Sequence, residues 1–369
     1  MSLVLLTGFP GFLGSRLLPR LLHRPHAEAT GLRAVCLVQP RFAALAERRL
    51  GEFVAADPTL AGRVELLAGD ITRPDLGLTD AAERRRLAAA VEQLWHLAAV
   101  YDLTVPRDVG MRVNVDGTAH VLRFAQECAG LTRLHHISTC YVSGRHCGIY
   151  RERDLDVGQS FNNHYEETKF LAEVGVRAAG DAGLPTSVYR PAVVVGDSVT
   201  GATQKYDGPY FLLRWLLRQP RWAIAPVVGD PTMARFTMVP SDFVVDAMTY
   251  LSGLAGPPGV TYALADPRPL TVDELLDALA AGVGRRCLRV HLPRRATRAA
   301  LRALPPLARL TGFPAEAVDY FVHPTHYDTT NTDRDLAGSG IACPPVAAYL
   351  PRLIEFARAH PDADLGAMS

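Results

Sequence analysis

The segment Tyr165-Glu166-Glu167-Thr168-Lys169 sets a phenol and an ammonium four residues apart. On a helix that spacing puts both on one face. A free phenol titrates near 10, and a neighbouring ammonium favours its ionised form. Lys169 is therefore expected to lower the Tyr165 value, so that the phenol gives or takes a proton near neutral pH. The same spacing arises often by chance, and position gives it weight here. It follows His135-His136-Ile137-Ser138-Thr139-Cys140-Tyr141-Val142-Ser143-Gly144, an apolar run that ends in hydroxyls. Ser138 and Thr139 would meet a carbonyl oxygen at that strand end.

A second constellation opens the chain: Thr7-Gly8-Phe9-Pro10-Gly11-Phe12-Leu13-Gly14. It lies between an apolar strand, Leu3–Thr7, and a helical pattern, Leu13–Leu22. Gly8 suits a turn at positive φ, Gly11 lets a backbone approach a pyrophosphate, and Gly14 lets the helix pack close. The free N–H groups of the helix start complete a phosphate site. An ordinary tight turn is the plain alternative. The end of the second strand, Leu37-Val38-Gln39-Pro40-Arg41, carries no acid for a ribose hydroxyl, and Arg41 suits a 2′-phosphate. The expected cofactor is therefore NADP(H) in preference to NAD(H), although Arg41 also reads as a solvated charge. Asp70-Ile71 ends the third strand and offers a carboxylate to an adenine amino group, or else a cap. His96-Leu97-Ala98-Ala99 ends the fourth, where small residues admit a flat cofactor and His96 reads as structural.

These residues need a scaffold that aligns strand ends. Strands are expected at Leu3–Thr7, Ala34–Val38, Val64–Ala68, Leu94–Ala98, Leu134–Ser138 and Ser187–Tyr189. Helices Leu13–Leu22, Ala81–Val91, Val113–Cys128 and Tyr165–Ala179 fall between them. That alternation predicts an α/β fold, a Rossmann doubly wound parallel sheet. Ligands of such sheets sit at the carboxyl ends of the strands. After Gly196 the rhythm changes. Residues 1–196 read as the cofactor-binding core and 197–369 as a smaller α+β substrate lobe, with 239–265 returning to the core. In the lobe, Asp242–Leu251, Val272–Ala280 and Ala348–Ala359 read as helices, Val260–Leu264 and Leu288–Leu292 as strands, and the tail after His360 as frayed.

Composition sets the class. The chain has 369 residues, 48% of them hydrophobic, and a net charge of +1, which gives no reason to expect nucleic acid. Six scattered cysteines without a CxxC pair point to reduced thiols and a cytoplasmic setting rather than a disulfide framework or a zinc site. No apolar run is long enough for a transmembrane segment, and no metal is expected.

The glycine triplet, the HLAA strand end, Asn114-Val115-Asp116-Gly117-Thr118, ISTCYVSG, YEETK and Tyr189-Arg190-Pro191 occur in that order. Over residues 3–250 the chain resembles the extended short-chain dehydrogenase/reductase superfamily. The resemblance implies that Thr139, or its neighbour Ser138, orients the carbonyl. It implies that Tyr165 donates the proton and that Lys169 holds the tyrosine and the nicotinamide ribose. Pro191, Val193 and Val194 would cover the nicotinamide, Asn114 would stand behind the site, and Asn162 and Asn163 would bond substrate or relay protons. Thr139 in its ISTxYVSG setting, Ala172-Glu173 after YEETK, and Ile341-Ala342-Cys343-Pro344-Pro345 are similar to the fatty acyl-CoA reductase and thioester reductase branch. Glu166 stands where sugar-nucleotide epimerases more often carry glycine.

Two features of the second half stay ambiguous. The stripe Tyr210–Leu217 lines a lipid-like pocket or simply packs. The arginines of Arg285–Arg309 meet a pantetheine or coenzyme A phosphate, an acidic carrier or a membrane surface, or form a solvated face. His323, His326 and Tyr327 read as structural or pocket-lining. The leading expectation is an NADP(H)-dependent reductase of an acyl thioester, aldehyde or ketone with an apolar tail. Its partners would be that small molecule, coenzyme A or an acyl carrier, and a second copy in a homodimer. A sugar-nucleotide epimerase or dehydratase is the second reading, and a non-catalytic dinucleotide sensor the third. Binding alone does not require the trio Thr139, Tyr165 and Lys169.

Overall fold

The computed structural model describes residues 2–24, 31–303 and 315–361. In chain order its main elements are β1 (Leu3–Thr7), α1 (Phe12–His23), β2 (Arg33–Val38), α2 (Ala43–Ala56), β3 (Val64–Ala68), α3 (Ala81–Ala90), β4 (Val91–His96), α4 (Arg107–Gly110), α5 (Gly117–Glu127), β5 (Arg133–Ile137), β6 (Gly148–Tyr150), α6 (His164–Asp181), β7 (Thr186–Pro191) and β8 (Val193–Val195). There follow α7 (Pro209–Leu217), β9 (Trp222–Val228), β10 (Met238–Pro240), α8 (Ser241–Ser252), β11 (Val260–Leu264), α9 (Val272–Gly282), β12 (Arg286–Leu292), α10 (Arg294–Ala303), β13 (Thr325–Tyr327), α11 (Thr330–Leu336) and α12 (Val346–Ala359).

Seven strands form one parallel sheet in the order β3-β2-β1-β4-β5-β7-β11. The order reverses between β1 and β4, which opens a crevice at the carboxyl ends of those strands. This is the Rossmann arrangement that the strand–helix alternation predicts. Strand side chains alternate between faces, and helices cover both. Val4, Leu6, Ala34 and Cys36 pack with Leu17 and Leu21 of α1 and Val244 and Met248 of α8. Leu5, Val35 and Leu94 pack with Leu87 of α3, Val121 of α5 and Val176 of α6. A run that is apolar at every position is what two covered faces require.

A third core is built mainly from the elements after Gly196, with Tyr141, Val193 and Val195 joining from before it. Ala223, Ala225 and Val227 of β9 pack with α7, α9 and α12. Two two-stranded parallel pairs, β8–β10 and β6–β13, tie this part to the rest, and a third, β9–β12, lies within it. Strand β4 ends at His96, short of the expected Leu94–Ala98, so Leu97–Ala99 continue as open backbone beyond the sheet. The helix expected at Val113–Cys128 begins with a π-helical turn, Met111–Asp116, before α5. Helix α2 is not legible from periodicity, because Ala46 alone of its residues is buried. No described helix is long and apolar enough to cross a membrane. Residues 304–309 of the arginine-rich segment and the tail past residue 361 lie outside the described residues.

Candidate active site

The glycine loop turns at Gly8, whose φ of 92° suits glycine. A Cβ there would fall 2.8 Å from the Ala98 nitrogen, and one at Gly14 would fall 2.5 Å from the Gly8 carbonyl oxygen. These two contacts require glycine. No side chain caps the start of α1, so its first N–H groups face the crevice. Both observations fit a dinucleotide: the loop brings backbone close, and an uncapped helix end awaits an anion.

One cavity of about 250 Å³ joins the loop to the candidate catalytic residues. Gly8, Gly11, Phe12, Leu13 and Gly14 line one side, with Leu97, Ala98 and Ala99 beside them. Ser138, Thr139, Tyr165 and Lys169 line the other, and Pro191, Val193 and Val194 close it. The remaining expected residues lie elsewhere. Thr7 is buried, accepts from the Ala98 nitrogen at 3.2 Å and pairs with His96 at 2.8 Å. Phe9 turns into the core, and the Pro10 carbonyl accepts from Ser15 at 2.9 Å. Asn114 receives the Val100 N–H at 2.9 Å and donates to Thr168 at 3.0 Å, bracing the back of α6. Asp70 lines a separate recess of about 290 Å³ at the end of β3, and Ile71 is buried beneath Gly117. Arg41 is exposed, donates to Gln39 at 2.9 Å and stacks on Phe42. Gln39 in turn donates to Asp70 at 2.9 Å, so the three residues form one chain along the sheet edge.

Asn163 caps α6 through its side chain, and Tyr165 and Lys169 follow within the first turns. Both side chains reach the cavity while nearly fully buried. The Lys169 ammonium donates to the Ile137 carbonyl at 2.7 Å. Burial brings it down to about 8, with Glu173 acting the other way. Tyr165 corrects the sequence reading. Burial raises its phenol above the ordinary value, a hydrogen bond with Thr139 opposes the shift, and Glu166 and Asp207 add to it. Desolvation of the phenolate outweighs any help from the ammonium. Tyr165 is thus held as an acid.

Thr139 and Ser138 separate clearly. Thr139 hydrogen-bonds Tyr165 inside the cavity. Ser138 donates to Glu173 at 2.6 Å. Glu173 is fully buried and pairs with Arg190 at 2.7 Å and Arg177 at 3.0 Å. Burial alone would raise Glu173; the arginines and Ser138 instead hold its carboxyl below the usual range. This pair pins α6 to β7 from behind, and it occupies the Ser138 hydroxyl. Asn162 and Asn163 do not line the cavity. Asn162 donates to the buried carboxylate of Glu166, and Asn163 donates to Tyr320 at 3.0 Å. His323 pairs with Tyr327 at 2.7 Å, and both rings lie against Tyr141.

Sequence reasoning assigns no role to several lining residues: Tyr101, Tyr141, Ala192, Thr203, Gln204, Lys205 and Asp207. Tyr101 and Lys205–Asp207 sit on irregular segments, where no periodicity points inward. One signal is present. Lys169 and Lys205 are the chain's two lysines among 39 lysines and arginines, and both line this cavity.

The ambiguous segments also resolve. The α7 stripe packs into the lobe core and does not border the catalytic cavity. Its Leu212 and Trp215 instead help line a second, apolar cavity of about 430 Å³. Four of the described arginines after Arg285 form ion pairs within the chain: Arg289 with Asp273 and Asp277, Arg294 and Arg298 with Asp319, Arg302 with Glu316; Arg286 instead stacks on Trp222.

A Rossmann crevice that carries a buried Thr–Tyr–Lys set defines an extended short-chain dehydrogenase/reductase, an NAD(P)-dependent oxidoreductase. The chain belongs to the male sterility protein family, whose pattern matches residues 6–248, in the branch resembling fatty acyl-CoA reductases. It is 30% identical over 286 residues to a linear gramicidin synthase from Brevibacillus parabrevis, covering 74% of this chain and 5% of that one. It is 31% identical over 305 residues to the carboxylic acid reductase of Mycobacterium tuberculosis, covering 75% of this chain and 26% of that one. The chain thus spans a small part of these curated relatives. Among solved structures, the terminal R domain of the myxalamid PKS-NRPS biosynthetic pathway superposes with a TM-score of 0.81 at 28% identity, covering 100% of this chain and 93% of that one. The reductase domain of a nonribosomal peptide synthetase from Mycobacterium tuberculosis superposes with a TM-score of 0.70 at 25% identity, covering 98% and 92%.

Proposed function

We propose that the chain is a reductase of acyl thioesters and the aldehydes they yield, with NADPH as hydride donor and the thioester carried on a pantetheine arm. The observation that carries this reading is the buried trio in a cavity shared with the glycine loop. Its likeness to reductase domains of peptide synthetases and to a carboxylic acid reductase supports the substrate class. Glu166 adds to it. Its buried carboxylate ties the start of α6 to Tyr320 and Asn162, a tie that a glycine there would remove.

The dinucleotide supplies the hydride. Thr139 orients the carbonyl oxygen. Tyr165, an acid by burial, gives that oxygen its proton as charge develops; from a thioester this yields a hemithioacetal, which releases the aldehyde as its C–S bond breaks and the pantetheine thiol leaves with the hydroxyl proton. Lys169 would hold the ribose and supply positive charge to the same cavity. Arg41, at the end of β2, would meet a 2′-phosphate, and Asp70, linked to it through Gln39, would take the adenine end.

NADPH oxidation with acyl-pantetheine thioesters and aldehydes tests the proposal. Tyr165→Phe keeps the ring and should cut turnover by about 10²–10⁴ with cofactor affinity little changed. Full activity in that variant, or turnover of a nucleotide sugar in place of thioesters, would overturn it.

A further inference from the structure

The mouth of the catalytic cavity carries a second group of polar residues, Tyr101, Lys205 and Asp207. The Tyr101 ring meets the Tyr165 ring edge-on, with centroids 4.9 Å apart and an interplanar angle of 85°. That is a favourable aromatic geometry. Packing alone does not hold Tyr101, which is 43% exposed. It is held by its two polar ends and one face. Its phenol donates to the Asp207 carboxylate. Its carbonyl accepts from the Lys205 ammonium at 3.3 Å, and that ammonium lies 5.1 Å above the ring. Lys205 and Asp207 lie 3.8 Å apart. The segment bearing both is fastened from its far end, where Arg16 of α1 pairs with Asp197 at 3.1 Å and donates to the Ala202 carbonyl at 2.8 Å. A clasp therefore runs from the cofactor helix to the ring beside Tyr165.

We propose that Asp207 is a positioning residue for Tyr165, acting through Tyr101: it fixes the Tyr101 ring, which in turn fixes the Tyr165 ring at the angle that aims its phenol at the carbonyl. The proposal rests on Tyr165 as proton donor. Thr139 hydrogen-bonds Tyr165, and Glu166, Tyr141 and the Asp207 carboxylate itself also act on it; Tyr101→Phe keeps that carboxylate and so separates its charge from its hold on the ring. Lys205 keeps the clasp neutral. Arginine fills the chain's other basic positions apart from Lys169. A compact ammonium suits this one, because it can sit on a ring and touch a carbonyl at once.

The test is a double-mutant cycle. Tyr101→Phe keeps the ring and loses the bond to Asp207; Asp207→Asn loses the charge. With octanal and NADPH, each should lower kcat about tenfold while KM for NADPH and Tm stay put. The double variant should be no worse than either single one. Tyr101→Leu, which removes the ring, should lose more. Near-ultraviolet circular dichroism reads the same ring pair without any substrate. Tyr101→Leu and Asp207→Asn should lose the same tyrosine band. Additive losses in the cycle, an unchanged kcat, or an unchanged band would overturn the proposal. If octanal is not reduced, or Tyr165→Phe stays active, the proton-donor reading fails, and the dichroism alone decides whether Asp207 orders the pair.

Discussion

Two parallel sheets of this chain use opposite burial. In the seven-stranded sheet, β1 is buried at every position, from Leu3 to Thr7. In the β9–β12 pair one face is covered and the other open. Ala223, Ala225 and Val227 go inward, while Trp222 is 54%, Ile224 51% and Leu288 53% exposed. The first sheet aligns strand ends and so places the glycine loop, Thr139 and the Tyr165–Lys169 helix. The second places none of them. The ionic groups divide the same way. Those behind the active site centre on the buried Glu173; those of the lobe are arginine-rich, with Asp319 buried between Arg294 and Arg298 but Arg289 paired with Asp273 and Asp277 at the surface.

The sharpest way to break this contrast is to remove one carboxylate from each region. Glu173 is fully buried between Arg190, Arg177 and Ser138. Glu173→Ala leaves the buried Arg190 charge without a partner, which should cost about 3–5 kcal/mol. Asp273→Ala, whose partner Arg289 is partly exposed and keeps Asp277, should cost under about 1 kcal/mol. Urea unfolding of both variants checks the pair. Equal losses would mean that the lobe's ion pairs are as essential as the core's.

Lys169 sharpens the contrast through pH. Burial takes it from the ordinary lysine value of 10.5 to about 8. Its folded value lies below its unfolded one, so between those two the unfolded chain binds more protons, and stability from this group rises with pH. Below about 8 the buried charge costs a constant amount, roughly 3 kcal/mol at about 1.4 kcal/mol per unit. Lys169→Met should therefore melt higher than the wild type at pH 7, and the gap should close as pH rises from about 8 to about 10. Catalysis moves the other way. On the proposed mechanism it needs the ammonium, so kcat/KM should fall as pH passes about 8. A gap in Tm that does not change with pH would show that Lys169 is not desolvated as its burial implies.

Legibility follows the same division. The Rossmann strands are readable in the sequence because two covered faces demand unbroken apolar runs. The glycine loop and Tyr165–Lys169 are readable because their chemistry lies within a few residues of sequence. Adjacency groups Phe9, Pro10 and Thr7 with the loop, yet a strand end alternates direction and turns them into the core or onto His96. Ser138 and Thr139 are neighbours in sequence; only the position of Glu173 across the sheet separates them. Tyr101, Lys205 and Asp207 converge from segments about a hundred residues apart without regular structure, and no local pattern encodes that meeting. The direction of the Tyr165 shift escapes the sequence for a related reason. Spacing gives the ammonium, whereas burial comes from the fold.

The smallest expected effect tests the open face of the β9–β12 pair. Leu288 lies beside Ile224 in register and is 53% exposed. Threonine there has the β-branched shape that strands favour and loses little buried area. Leu288→Thr should change stability by no more than about 0.5 kcal/mol, as surface substitutions do. Removal of a fully buried leucine such as Leu94, by contrast, should cost about 2–5 kcal/mol. Tm of both variants, measured across a roughly hundredfold range of protein concentration, makes the comparison complete. A loss above about 1.5 kcal/mol at Leu288 that grows with concentration would mean that another copy of the chain covers this face in solution, since association adds to apparent stability by mass action. A large loss independent of concentration would instead mean that the face is covered from within the chain, and the two sheets would then differ less in burial than their strand patterns indicate.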